Sequence, residues 1–310
     1  MSTDTVTPRR PAAGRPARSS LMRSAAGLLP TVPALAWFLL FAVGPIVALF
    51  YFALLEWRSI NADRTFVGLD NFARVIGDDV ARQALLNSCI QLGVSLPIII
   101  VGAFAFAYYL NLHPPGHRLI RTLLFTPVLL STPALAMVFS GVFAPSGLAN
   151  AVLGLIGLDA AQRPWLAQGA TGLAAIITIG IWSGLAISTV MFTARLSALP
   201  TEVFEAAELD GCSHPRRIRA IAWPMAREFV GVVTTLQFLW TLFGSAALVL
   251  LLTRGGPGND TVTLSFLVYD YAFGRQQVGY SQAIAVGLFI LGAIGLLGIR
   301  SFFNEKSEES

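Results

Sequence analysis

Six long apolar runs, at residues 28–55, 85–111, 119–143, 170–194, 229–253 and 281–303, dominate this chain of 310 residues. As a helix, each is long enough to cross about 30 Å of hydrocarbon, which takes roughly 20 residues. Apolar side chains make up 55% of the sequence and charged ones 12%, against about 25% charged in ordinary soluble chains. These residues do not supply the polar surface that a water-soluble fold needs. The expectation is an all-α integral membrane protein with six transmembrane helices. Pro127, Pro133 and several glycines interrupt the third and fourth runs, but neighbouring helices and Ser/Thr side chains can satisfy the carbonyls that proline frees.

Arginine sets the orientation. With the N-terminus inside, 14 of the 21 basic residues fall in inner segments and 7 in outer ones, so both termini are expected to be cytoplasmic. Residues 1–27 and 304–310 read as cytoplasmic tails, the first rich in Pro, Ala, Arg and Ser and without order of its own. A signal peptide is disfavoured because the first apolar run is too long. Every basic residue except Lys306 is arginine. A nucleotide-binding P-loop needs a lysine at its helix start, and no glycine-rich loop precedes Lys306, so the chain is not its own ATPase. Cys89 and Cys212 read as free thiols, and no cofactor or metal site is expected.

The only charged side chains in the six runs are Arg121 and Arg300, both near predicted cytoplasmic ends. Intramembrane charges usually mark ion coupling, proton relay or catalysis, so their scarcity argues against a proton-coupled carrier, a voltage sensor and a membrane metalloprotease. Polar, uncharged residues are present instead. In the fifth run Thr234, Gln237, Thr241 and Ser245 share one helix face, with Trp240 and Gly244 beside them. Such a face meets either other helices, through hydrogen bonds, or a water-filled path. As a path it would suit a neutral polyol such as a sugar. Trp182, Ser183, Ser188 and Thr189 in the fourth run form a weaker set of the same kind.

The inner segment 195–228 is too long for a simple connection. It reads as two short helices. The first runs from Thr201 to Asp210 and is stopped by Gly211; the second opens at Ser213 and ends near Trp223 and Pro224. Apolar Val203, Phe204, Ala206, Ala207 and Leu209 alternate with Glu202, Glu205, Glu208 and Asp210. That mixture fits a docking element for another protein.

Glu205, Ala206, Ala207, Gly211, Ile221 and Pro224 stand at the spacing of the EAA signature, which this loop resembles, of permease subunits in binding-protein-dependent ABC importers. Trp223 takes the place of the usual leucine, and Pro215 that of a frequent aromatic residue. Gly68–Phe72 with Asn87, Thr253–Thr261 with its glycines and Pro257, and Tyr269, Phe273, Gly279, Tyr280, Ser281 and Ala283 resemble outer segments of the maltose and glycerol-phosphate class. Ala246 and Ala247 depart from an aromatic–acidic pair common there. The resemblance implies that Glu205, Ala206, Ala207, Asp210, Gly211, Ile221 and Pro224 couple the chain to an ATPase dimer. It also implies a second permease subunit, an extracytoplasmic solute-binding protein and a sugar-like solute crossing the bilayer. A stand-alone secondary transporter or channel is the alternative.

Overall fold

The computed structural model describes residues 31–58 and 62–304. The predicted tail at 1–27, and all but the first residue of the one at 304–310, lie outside the described residues. The chain divides into two compact units at Ala48/Leu49. The described part of the first is helical, and none of its side chains is buried.

Helix α1 spans Thr31–Ala53, with a π turn at Leu39–Val43. A hairpin too short to announce itself in the sequence follows: β1, Leu55–Trp57, pairs antiparallel with β2, Arg64–Phe66. Next come α2, Asp70–Gly77, and the long α3, Asp79–Asn111. After a turn the chain forms α4 (His117–Phe125), α5 (Thr132–Val142), α6 (Leu148–Leu155) and α7 (Gly169–Ser197). α8, Thr201–Leu209, leads to α9, His214–Gly244, which is followed by α10, Ala246–Leu252. α11, Leu264–Tyr269, and α12, Val278–Asn304, complete the fold.

Among the described residues four helices, α1, α3, α7 and α12, are long and apolar enough to cross a membrane unbroken, and there are up to six spans if two bent pairs each count as one. The third predicted run is therefore not one straight rod. Its halves meet at 116°, because a 3-10 turn at Thr126–Leu129 containing Pro127 ends the first half. Ser131, extended, then caps the second half, which opens with Pro133 in its first turn. The fifth run bends by 41° at Ser245. The second loop helix does not end near Trp223 and Pro224 as expected. A π turn at Ile218–Ala222 absorbs the register change, and the helix continues through Pro224 into the span.

α3 and α7 pack along their length, and α9 packs on both and on α12. Small residues permit this. A Cβ on Gly184 of α7 would run into Ile99 of α3, and one on Gly102 would run into Leu185. Close backbone approach of this kind substitutes for the hydrophobic drive that lipid removes. The core at the α8 end of the bundle holds Phe104, Phe192, Val230 and Val233, with Phe204 of α8 packed against it. Trp223 stacks edge-to-face on Phe104 at 5.0 Å, so the residue at the usual leucine position is a core aromatic.

Candidate translocation site and coupling loop

A cavity of about 290 Å³ opens where α3, α7, α9 and the broken third run converge. Gln237, Trp240, Thr241 and Ser245 from the predicted stripe line it, as does Ser183 from the weaker set. Thr234 does not: its hydroxyl donates to the Val230 carbonyl at 2.7 Å. Nor do Trp182, Ser188 and Thr189. The Trp182 Nε1–H donates to Leu123 O at 3.2 Å. No charged side chain lines the cavity among the described residues.

The polar groups in the wall are poised unequally. Gln237 is buried; its Nε2 donates weakly to the Gly184 carbonyl at 3.4 Å, while its Oε1 has no partner. Ser95 Oγ on α3 is likewise buried and unpartnered. Leaving such a group unsatisfied costs about 1–3 kcal/mol, which a donor brought by a solute hydroxyl would relieve after a small side-chain rotation. Ser245 is already committed to Ser265 Oγ at 2.7 Å and Thr263 Oγ1 at 3.0 Å. Trp240 is 68% exposed and offers an aromatic face. Gln91 and Ser95, both lining the cavity, were missed. With Asn87 they recur every four residues, the same one-face polar signal that marked the fifth run.

The loop at 195–228 is built around Gly211. Its φ of +69° lies in the left-handed region that favours glycine. There its N–H reaches Glu208 O at 3.0 Å and the Cys212 N–H reaches Ala207 O at 2.9 Å, so the last carbonyls of α8 are satisfied. Arg217, buried, donates to Glu208 Oε2 at 2.9 Å and ties α8 to the start of α9. Glu205, Ala206, Asp210 and Pro224 are exposed, and Ala207 and Ile221 are half-buried. Leu209 is 89% exposed at the tip.

The opposite end is held by two buried asparagines and a half-buried aspartate. Asn71 Nδ2 donates to Ala53 O and Leu55 O, both at 2.9 Å. Asn87 Nδ2 donates to Asp260 O and Val262 O, both at 2.8 Å. Asp78 caps α3 through the Val80 N–H and accepts from Tyr271 at 3.2 Å and Tyr280 at 2.5 Å. Burial alone would raise the Asp78 pKa, but these hydrogen bonds outweigh it and hold it below the ordinary 3.8. A depressed folded-state pKa contributes stability that is present above 3.8 and lost as pH falls through the lower folded value. In Asp78→Asn the unfolding temperature should drop by about 2–4 °C at neutral pH, the effect of about 1 kcal/mol. The variant should also lose part of the fall below pH 3.8; an acid limb identical to wild type would acquit Asp78.

Comparison with known proteins defines the class. Residues 73–304 match the family model described as "Binding-protein-dependent transport system inner membrane component". The chain belongs to this family of ABC transporter permeases, multi-pass proteins of the cytoplasmic membrane. It is 34% identical to the probable ABC transporter permease protein YurN of Bacillus subtilis (strain 168), over 89% of this chain and 96% of that one. It is 29% identical to the diacetylchitobiose uptake system permease protein NgcF of Streptomyces coelicolor, over 85% and 77%. A crystal structure of a bacterial ABC transporter involved in the import of the acidic polysaccharide alginate shares the fold. Its TM-score is 0.76 at 20% identity, covering 92% of this chain and 96% of that one.

Proposed function

We propose that this permease is one of two membrane subunits of an importer that carries a sugar or sugar-like solute inward. On this reading each bent pair is a single span, giving six, and the arginine bias puts both termini in the cytoplasm. Segment 195–228 is the coupling loop. Glu205, Ala206, Ala207, Asp210, Gly211, Ile221 and Pro224 engage a groove on an ATPase dimer, and an extracytoplasmic binding protein delivers the solute to the other side. Relatives named for diacetylchitobiose, multiple-sugar and lactose transport support the sugar class.

One observation carries the mechanism: α9 is a single helix from His214 to Gly244. It holds Ile221 and Pro224 of the loop at one end and Gln237 and Trp240 of the cavity further along. Sixteen residues at 1.5 Å each separate Ile221 from Gln237 by about 24 Å. A helix satisfies its own backbone bonds and moves as a rod in lipid, so displacement of the loop reaches the cavity wall. ATP-driven closure of the ATPases would then favour one packing of the bundle over another, through contacts that differ between the two states.

Gln237→Leu tests the path. It removes the amide without changing the side chain's bulk greatly, and uptake should fall about tenfold or more, the loss of one or two hydrogen bonds to solute. Basal ATP hydrolysis should persist. Wild-type transport kinetics would return Gln237 to plain helix packing. Solute accumulation by the chain alone in liposomes, without nucleotide, would overturn the importer reading itself.

A further inference from the structure

A second cavity, of about 470 Å³, lies at the opposite end from the coupling loop, between the hairpin, α2 and the start of α12. Its lining is unlike that of the uncharged path. Arg58, Arg74 and Arg275 face it, with Trp57, Gln277 and Tyr280. Two of the guanidiniums are occupied. Arg58 pairs with Glu56 at 3.0 Å, and Arg275 pairs with Asp270 at 2.7 Å. Arg74 has no carboxylate or hydrogen-bond acceptor among the described residues. Its guanidinium lies 4.0 Å from the centroid of the Tyr280 ring, and Tyr280 is itself fixed by its hydroxyl bond to Asp78. Stacking holds the planar fork in place while leaving its N–H edges free.

Two more polar groups in the wall are unsatisfied. Trp57 Nε1, a donor, and Gln277 Oε1, an acceptor, are enclosed and have no hydrogen-bond partner, so each meets a ligand in the cavity only after a small side-chain rotation. A ligand that completes the site must therefore bring a carboxylate or similar anion for Arg74, an acceptor for the indole N–H and a donor for the glutamine carbonyl. A carboxylate side chain or a sulfate ion has no donor for Gln277. A polyhydroxylated carboxylate supplies all three from one small molecule, and the cavity volume lies within the range of small-molecule sites.

We infer that this cavity is a binding site for a sugar acid, its carboxylate on Arg74 and its hydroxyls on Gln277 and Trp57. The inference extends the sugar-import reading by giving the outer end a preference for acidic sugars that the path cavity, lacking charge, does not have. Glucuronate is the probe, titrated calorimetrically into the assembled complex, with glucose and acetate as controls. Glucuronate should bind at least about tenfold more tightly than either control, and Arg74→Gln should remove that margin. Arg74→Lys keeps the charge without the fork and should fall between, and Gln277→Leu should weaken glucuronate but not acetate. Equal affinity for glucose and glucuronate, or an undiminished margin in Arg74→Gln, overturns the site. ATP-dependent uptake of labelled glucuronate makes the ligand the cargo; binding without uptake makes it a ligand held outside the path. Both outcomes uphold the site. Co-purification of an ATPase with the wild-type chain tests the importer reading separately.

Discussion

Gly279→Ala is expected to lower both the yield and the unfolding temperature of the assembled transporter. A Cβ at this position would fall far inside van der Waals contact with the Leu55 carbonyl oxygen and close to the backbone of Trp57. The obstacle is backbone, and it is pinned: the same carbonyl accepts from Asn71 Nδ2, and Leu55 is paired with Phe66 across the hairpin. A flexible side chain could swing aside, but this oxygen can move only if the hairpin leaves the start of α12. Overpacking of this kind costs about 3 kcal/mol, the upper end of the usual range, in a fold whose margin is about 5–15 kcal/mol. Asn71 and the Asp78–Tyr280 bond depend on the same junction, so the losses are coupled. The measurements are yield of the membrane-extracted complex and its unfolding temperature. Gly298→Ala, at a position where an added Cβ meets nothing within 4 Å, is the matched control in the same helix. Equal stability of the two variants would show that the hairpin is free to move.

The apolar runs were legible because lipid imposes one rule on every spanning segment. Four of the predicted windows coincide with the unbroken helices α1, α3, α7 and α12, and the third and fifth fall on the two bent pairs. The breaks were not legible in the same way. Pro127 and Pro133 were visible, but a proline permits either a kinked span or a full stop. The 116° turn follows from Ser131 capping a new helix between them, a tertiary outcome that periodicity does not encode. The same limit applies to Pro224. A local rule ends a helix there, and the π turn at Ile218–Ala222 lets it continue. In the path, Gln237 and Trp240 could be named from one stripe, whereas Gln91 and Ser95 became visible only when α3 was seen to face that stripe. Thr234 shares the stripe by angle but is one turn too close to the loop, where its hydroxyl finds its own helix.

Gly211→Pro should uncouple transport, with binding-protein-stimulated ATP hydrolysis falling by about tenfold or more. Proline holds φ near −65°, whereas this residue sits at +69°, so the chain could not leave α8 along its present course. Proline also deletes the N–H that reaches Glu208 O, and Glu208 is the residue whose carboxylate anchors buried Arg217. One substitution therefore disturbs both the end of α8 and its tie to α9. Gly211→Asn separates shape from chemistry, because asparagine tolerates the left-handed region better than other side chains. It should retain most of the coupling that proline destroys. Glu205→Ala asks a different question. Glu205 is exposed and makes no ion pair or hydrogen bond among the described residues, so its removal should leave the unfolding temperature of the chain unchanged. If it nevertheless lowers ATPase association, the carboxylate acts across an interface. If Gly211→Pro and Glu205→Ala both take up solute at the wild-type rate, the loop is not where the motor grips. The force would then have to enter through another segment at the same end of the bundle, such as the turn at His113–His117.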